Sequence, residues 1–279
     1  MNKEEIQSAL KQMSPQPTTL QPGGKLKQKI ECLMLDIYGT LFISASGDIG
    51  IARKVSKNAW KLEQLLRKFS IQIPVESLLA DFSNAIEREH EKLKQSGIDY
   101  PEIKIEEIWK QILDKDDLDQ VKTFAVEFEI IVNPVYPMPH LTEMLSGCKN
   151  RVKLLGIISN AQFFTPLLFE WFLGAGLTEL GFDPELIFFS YQHKHAKPSA
   201  FLFGLAADQL EMKGIHRKAA LYVGNDMLND IYPAHAVGFS TALFAGDARS
   251  LRMRENDPRC KDVAPDLVIT DLIQILDHV

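Results

Sequence analysis

A short apolar run, Ile30–Leu35, ends in Asp36-Ile37-Tyr38-Gly39-Thr40-Leu41. A carboxylate at a strand end, followed by a glycine turn and a hydroxyl, can present a nucleophile. The same spacing also suits a loop turn with a capping aspartate. A second apolar run, Lys153–Ile158, ends in Ser159-Asn160. A hydroxyl and its neighbouring N–H groups there can hold an anionic oxygen, or cap the helix that follows. After a third run, Leu186–Ser190, come His193-Lys194-His195-Ala196-Lys197-Pro198-Ser199. A lysine held at this point can neutralise both a catalytic carboxylate and an anionic substrate; the alternative is a solvated surface charge. The spacing of His193 and His195 resembles a metal pair only by accident on this reading. A fourth run, Ala220–Gly224, leads into Asn225-Asp226-Met227-Leu228-Asn229-Asp230. Two carboxylates four residues apart at a helix start can face one point and suit a hard cation such as Mg²⁺. They would equally complement the helix N-terminus.

Each of these groups follows an apolar run, and two further runs, Thr241–Ala245 and Leu267–Thr270, bring the number to six. Runs with little alternation are strands covered on both faces. Helical patterns at Phe164–Leu173, Ser199–Glu211 and Met227–Val237 separate them. Alternating strand and helix implies right-handed crossovers and an α/β fold with a doubly wound, Rossmann-like parallel sheet. In such sheets ligands bind beyond the carboxyl ends of the strands, where all four groups fall.

The stretch from 44 to 137 has a different character. Lys57–Phe69, Val75–Lys94, Ile105–Leu113 and Leu118–Ile131 are amphipathic. In the second of these, Leu78, Leu79, Phe82, Ile86 and Leu93 fall near one face. We therefore expect an inserted α-helical domain at 44–137, dividing a core made of 30–43 and 138–279. Pro134, Pro137 and Pro139 mark the return to that core. Residues 1–29 are rich in Pro, Gly and Gln and are expected to form a short helix and a poorly ordered leader.

A net charge of -6 argues against nucleic acid or an anionic membrane as partner. Cys32, Cys148 and Cys260 form no metal or redox spacing. With no signal-peptide core at the N-terminus, a reduced, cytoplasmic setting is expected.

Taken in order, Asp36–Thr40, Ser159, Lys197 and Gly224–Asp230 resemble the four motifs of the haloacid dehalogenase superfamily. The core resemblance spans about Ile30–Phe42 and Met138–Ala245, and the insertion resembles that family's helical cap. The resemblance implies that Asp36 attacks the electrophile and forms an aspartyl ester or aspartyl phosphate. Thr40 and Ser159, with Asn160 beside them, would orient the substrate group, and Lys197 would hold Asp36 and the substrate. Asp226 and Asp230, together with Asp36, would bind or orient Mg²⁺, or position the hydrolytic water. Family phosphatases carry an acid–base aspartate where this chain has Tyr38. A tyrosine with a pKa of about 10 is a poor proton shuttle at neutral pH.

The DIYGTL form resembles the L-2-haloacid dehalogenase branch, which expels halide without a metal. The fourth motif instead keeps two acids, as metal-dependent phosphatases do, but has Asn225 directly after Gly224. The first expectation is Mg²⁺-assisted hydrolysis of a small-molecule phosphate ester. The alternatives are metal-free C–halogen hydrolysis, and a catalytically weak binding or regulatory protein. All three imply a small anionic ligand. Arg53, Lys54, Arg67 and Arg88 are candidate anion clamps or solvated helix charges, and Trp60, Phe82 and Trp109 are expected in the insertion's core. Oligomeric state is left open.

Overall fold

The computed structural model describes residues 12–45 and 51–279, with side chains for all of these except 51–58. The helix expected near the N-terminus and the side chains of Arg53 and Lys54 lie outside the described residues.

In chain order the elements are strands β1 (Gly23–Gly24), β2 (Cys32–Leu35) and β3 (Phe42–Ser44), then helices α1 (Ile51–Lys68), α2 (Val75–Gln95), α3 (Ile105–Leu113) and α4 (Leu118–Val132). There follow β4 (Val135–Pro137), α5 (Leu141–Cys148), β5 (Leu154–Ser159), α6 (Leu167–Leu173), β6 (Phe182–Phe189), α7 (Ser190–His193) and α8 (Phe201–Met212). The chain closes with β7 (Ala220–Gly224), α9 (Tyr232–Ala236), β8 (Ser240–Phe244) and β9 (Leu267–Ile269).

The main sheet has the order β1-β9-β8-β7-β2-β5-β6. All its neighbours are parallel except β1 and β9. The six apolar runs thus form the expected parallel sheet, and β2 lies inside it between β5 and β7. Every residue of β2 is fully buried because the strand carries two cores. Leu33 and Leu35 pack on one face with Leu155, Ile157, Phe169 and Val223. Cys32 and Met34 pack on the other with Leu202, Phe203, Ala206 and Tyr222. A continuously apolar strand is the signature of that double cover.

Helices α1–α4 gather a third, separate core around Phe82, Trp109, Phe124 and Phe128. Phe82 stacks on Trp109 at 4.3 Å between ring centroids, and Trp109 meets Phe128 edge-on at 4.7 Å. A two-stranded ribbon, β3 with β4, carries the chain out of and back into the main sheet region. Trp60 departs from the expectation: it is 56% exposed on α1.

Three elements differ from the sequence reading for physical reasons. Residues 12–29 of the leader are held against the core. β1 pairs with β9, the Thr18 hydroxyl donates to the Ala245 carbonyl at 2.8 Å, and the Gln16 N–H donates to the Asp247 carboxylate at 3.0 Å. These bonds, not apolar periodicity, tie this segment down. The stretch expected as one helix from Met227 splits into a wide π turn, Met227–Ile231, and the short α9. Pro233 interrupts it because it has no N–H to close an i→i−4 bond. Helix α6 starts only at Leu167, behind Pro166. Among the described residues, no helix is long and apolar enough to cross a membrane.

Candidate active site

Asp36 is the residue that follows β2, and its N–H still bonds to the Val223 carbonyl of β7 at 3.0 Å. The ladder therefore fixes the carboxylate at the carboxyl edge of the sheet. Gly39 turns the chain just beyond it with φ +84°. A Cβ there would lie 2.6 Å from Ser250 Cβ and 2.8 Å from Asn225 Nδ2. Gly39→Ala is therefore expected to cost both left-handed strain and overpacking, about 2–4 kcal/mol together, read as a lowered midpoint in urea unfolding. An unchanged midpoint would mean that the turn is not built as described.

Lys197 organises the centre. It is only 6% exposed. Its three donors are all used: Nζ reaches Asp36 Oδ1 at 2.7 Å, Asp230 Oδ1 at 2.5 Å and the Tyr222 hydroxyl at 3.2 Å. Burial works against the ammonium, but Asp230 and Asp36 outweigh it and hold the Lys197 pKa above its usual value. Asp230 is pushed upward by burial against the pull of Lys197. Lys197 therefore stays charged between the two acids. Tyr222 donates to the Ile158 carbonyl at 2.9 Å, and burial beside Asp230 and Asp36 keeps its phenol protonated. Asn160 positions the lysine from below: its Oδ1 accepts from the Lys197 N–H at 2.7 Å, and its Nδ2 donates to the Lys197 carbonyl at 3.3 Å.

The other expected residues divide into two groups. Asp36, Tyr38, Asn160, Lys197, Asp226 and Asp230 all border one cavity of about 340 Å³ between the sheet edge and the helical insertion. Thr40 and Ser159 are fully buried and do not border it. The Thr40 hydroxyl donates to Asn225 Oδ1 at 3.0 Å, and Ser159 Oγ makes only a long 3.4 Å contact with the Asn160 carbonyl. Thr40 thus fastens the first loop to the fourth through Asn225, whose Nδ2 donates to the Ser250 carbonyl at 2.6 Å. Arg67 pairs with Glu63 across one turn of α1, and neither Arg67 nor Arg88 borders the cavity. His195 stacks on Phe201 at 4.0 Å rather than pairing with His193 about a metal.

Tyr38 is not a substitute acid. Its hydroxyl shares a 3.0 Å hydrogen bond with Thr165 Oγ1. Burial, reinforced by Glu129, drives its pKa further above the usual tyrosine value, so it stays protonated throughout the neutral range.

The divalent cation implied by the resemblance to phosphatases needs several hard oxygens converging on one point. The donors here do not fit it. Asp226 Oδ1 accepts from the N–H groups of Leu228 and Asn229. The same carboxylate is gripped by Arg254, with Nη2 at 2.6 Å from Oδ2. Asp230 Oδ2 accepts from the Asp226 N–H at 2.9 Å, and its Oδ1 belongs to Lys197 and Tyr222. The set Asp36, Asp226 and Asp230 expected to hold Mg²⁺ is therefore engaged by other partners. Asp226 serves as a helix cap and ion-pair partner, while Asp230 serves Lys197. Among the described residues, no three acidic, His or Cys side chains cluster to hold a metal.

Several residues at this site went unnoticed in the sequence. Tyr222 sits in an apolar strand, and only its hydroxyl signals a polar task. Arg254 reaches Asp226 from a loop 28 residues away. Glu129 reads as one charge among several on α4.

Residues 195–275 match the family model described as HAD-hydrolase-like. No curated protein matches the sequence. By structure, the chain is similar to a 2-haloacid dehalogenase from Pseudomonas syringae pv. Tomato DC3000, with 18% identity, 89% of this chain and 97% of that one covered, and a TM-score of 0.54. It is also similar to a HAD phosphatase from Thermococcus onnurineus, with 17% identity, 89% and 97% covered, and a TM-score of 0.52. A third is the putative HAD-hydrolase YfnB from Bacillus subtilis bound to magnesium, with 15% identity, 90% and 98% covered, and a TM-score of 0.50. These identities establish a common fold and leave the substrate open. The last third of the chain thus matches that family model, and the sheet it belongs to shares its fold with these structures.

Proposed function

We propose that the protein is a metal-independent hydrolase in which Asp36 displaces halide from a 2-halocarboxylate that carries an apolar side chain. One observation carries this reading: the positive charge beside the nucleophile is Lys197, locked between Asp36 and Asp230. Lys197 holds Oδ1 of Asp36, so Oδ2 is the attacking oxygen. It forms a bond to C2 as the carbon–halogen bond breaks and halide departs with the electron pair. Water then attacks Cγ of the Asp36 ester and releases the 2-hydroxy acid.

This ordering reverses the expectation from the sequence. A phosphate monoester would bring up to two negative charges, one more than a 2-halocarboxylate, to a cavity already bordered by Asp36, Glu129, Asp226 and Asp230. Each like-charge contact at 4 Å costs about 4 kcal/mol at an effective dielectric of 20. Tyr38, at the position where family phosphatases carry their acid, does not supply the proton that an alkoxide leaving group needs there. Halide needs none. Toward the insertion the cavity wall also includes Phe82, Ile86, Ile103, Phe128 and Phe164, which favours a substrate with a hydrocarbon tail.

The test compares bromide release from 2-bromohexanoate with phosphate release from an aryl phosphate, each with Mg²⁺ and with a chelator. Bromide release is expected to be unchanged by chelation, and the aryl phosphate to turn over at least about 100-fold more slowly. Magnesium-dependent phosphate release without any bromide release would overturn the assignment.

A further inference from the structure

We infer that Glu129, a residue of the helical insertion, is the base that activates the water hydrolysing the Asp36 ester. The inference rests on the reaction proposed above and assigns its second half, for which neither Tyr38 nor the lysine-bound acids are suited.

The argument begins with placement. Glu129 lies on α4, the last helix of the insertion, and borders the same cavity as Asp36, Tyr38 and Lys197. Its carboxylate is oriented and not loose. Oε1 accepts from Asn133 Nδ2 at 2.9 Å one helical turn onward, and Asn133 Oδ1 accepts from Ser44 Oγ at 2.9 Å. Both of those residues also border the cavity. Ser44 ends the ribbon strand β3 and Asn133 directly follows α4, so the relay is anchored where the insertion joins the core. On its other side Glu129 faces Ile130, Phe164, Leu168 and Trp171, a wall with little to solvate a carboxylate.

The charged surroundings agree with this placement. Tyr38 borders the same cavity, and Glu129 helps to keep its phenol protonated. Asp36, Lys197 and Asp230 face the cavity as one closed network. Asp226 borders it too but is held by Arg254, and Arg252 curls over its own loop, donating to the Arg249 and Leu251 carbonyls. His90 and Glu102 border the same cavity; burial lowers the first and raises the second, so both lean toward neutrality. Burial likewise pushes Glu129 up to about 7, against the hydrogen bond from Asn133. A base with that pKa is half-ionised at neutral pH, where such groups transfer protons best.

The step balances as follows. The water oxygen bonds to Cγ of Asp36 while its O–H bond breaks and the proton passes to the Glu129 carboxylate. Collapse of the tetrahedral centre breaks the bond from Cγ to the substrate oxygen. That oxygen takes the proton back from Glu129 and leaves as the hydroxyl of the product. The water's second proton remains on the Asp36 carboxyl and is lost to solvent, which restores the carboxylate, and Glu129 ends as it began.

The experiment uses the full-length protein and 2-bromohexanoate. Glu129→Gln should release one equivalent of bromide at the wild-type rate and then stall, with steady-state turnover lower by about 10²–10⁴-fold. Intact-mass spectrometry should show the hexanoate ester retained on Asp36. Wild-type kcat should rise with pH through about 7, as Glu129 loses its proton. Asn133→Ala is the second variant. It removes the hydrogen bond that favours the carboxylate and should move that limb to higher pH without abolishing turnover. Full steady-state turnover with no ester in Glu129→Gln would overturn the assignment while leaving the reaction intact, as would a limb unmoved in Asn133→Ala. If the wild type releases no bromide and forms no ester, the proposed reaction fails and this assignment falls with it.

Discussion

Replacing Asp36 with asparagine is expected to abolish turnover while the protein unfolds at nearly the same urea concentration. The amide is isosteric, but its nitrogen carries no free lone pair able to form the ester, so the first covalent step is lost. Removal of a nucleophile in enzymes that use one costs on the order of 10⁴–10⁶-fold in kcat. The fold should survive because Asp36 is fixed mainly through its backbone N–H to Val223, which the substitution leaves in place. The variant also removes one of two carboxylates around Lys197, so it leaves a single acid paired with a single ammonium, a balanced arrangement. The measurement is halide release over hours with a stoichiometric amount of enzyme, beside a denaturation curve. Turnover within tenfold of wild type would exclude Asp36 as the nucleophile.

Lys197→Met is the second large effect, and its sign differs between stability and charge. Methionine fills the volume of the lysine stem but leaves Asp36 and Asp230 buried with no cation between them. Breaking a buried pair from one side costs about 3–5 kcal/mol. The two acids relieve part of this by binding a proton, so the loss of stability should be greatest at high pH and shrink as pH falls. In the wild type the lysine is held above its usual pKa by the same carboxylates, so its contribution is fully present across the neutral range and lost only under strongly alkaline conditions. Activity should fall by at least about 10³-fold, mostly in kcat, because the charge that fixes Asp36 also screens the negative charge developing on the departing halide. Urea unfolding at pH 5, 7 and 9, with halide release at each, checks both parts. A variant equally destabilised at every pH would mean that the ammonium is not the shared partner of the two acids.

These expectations depend on an arrangement that was partly written in the chain. The six apolar runs and the polar residues after them determined the parallel sheet and the edge on which a site could be built. That follows because a strand covered on both faces can place polar groups only at its ends. The same local logic located Asp36 after β2 and Lys197 after β6, and the 3.6-residue periodicity of α2 to α4 marked the helical insertion. Roles that require distance were not legible. Whether Asp226 faces a cation or an arginine depended on Arg254, 28 residues away, and on two backbone N–H groups at a helix start. Whether Thr40 meets substrate or fastens a loop depended on Asn225, 185 residues away. Trp60 followed helical periodicity yet points to solvent, because amphipathic spacing fixes a face but not what covers it. Glu129 illustrates the limit most clearly. In sequence it is a charge on an amphipathic helix, and only the packing of α4 beside Phe164, Leu168 and Trp171 half-buries it and sets it at the cavity that Asp36 borders. Local pattern determined which elements form and which residues stand at their ends. Tertiary packing decided which of those residues meet, because hydrogen-bond partners and desolvation are set by chain segments distant in sequence.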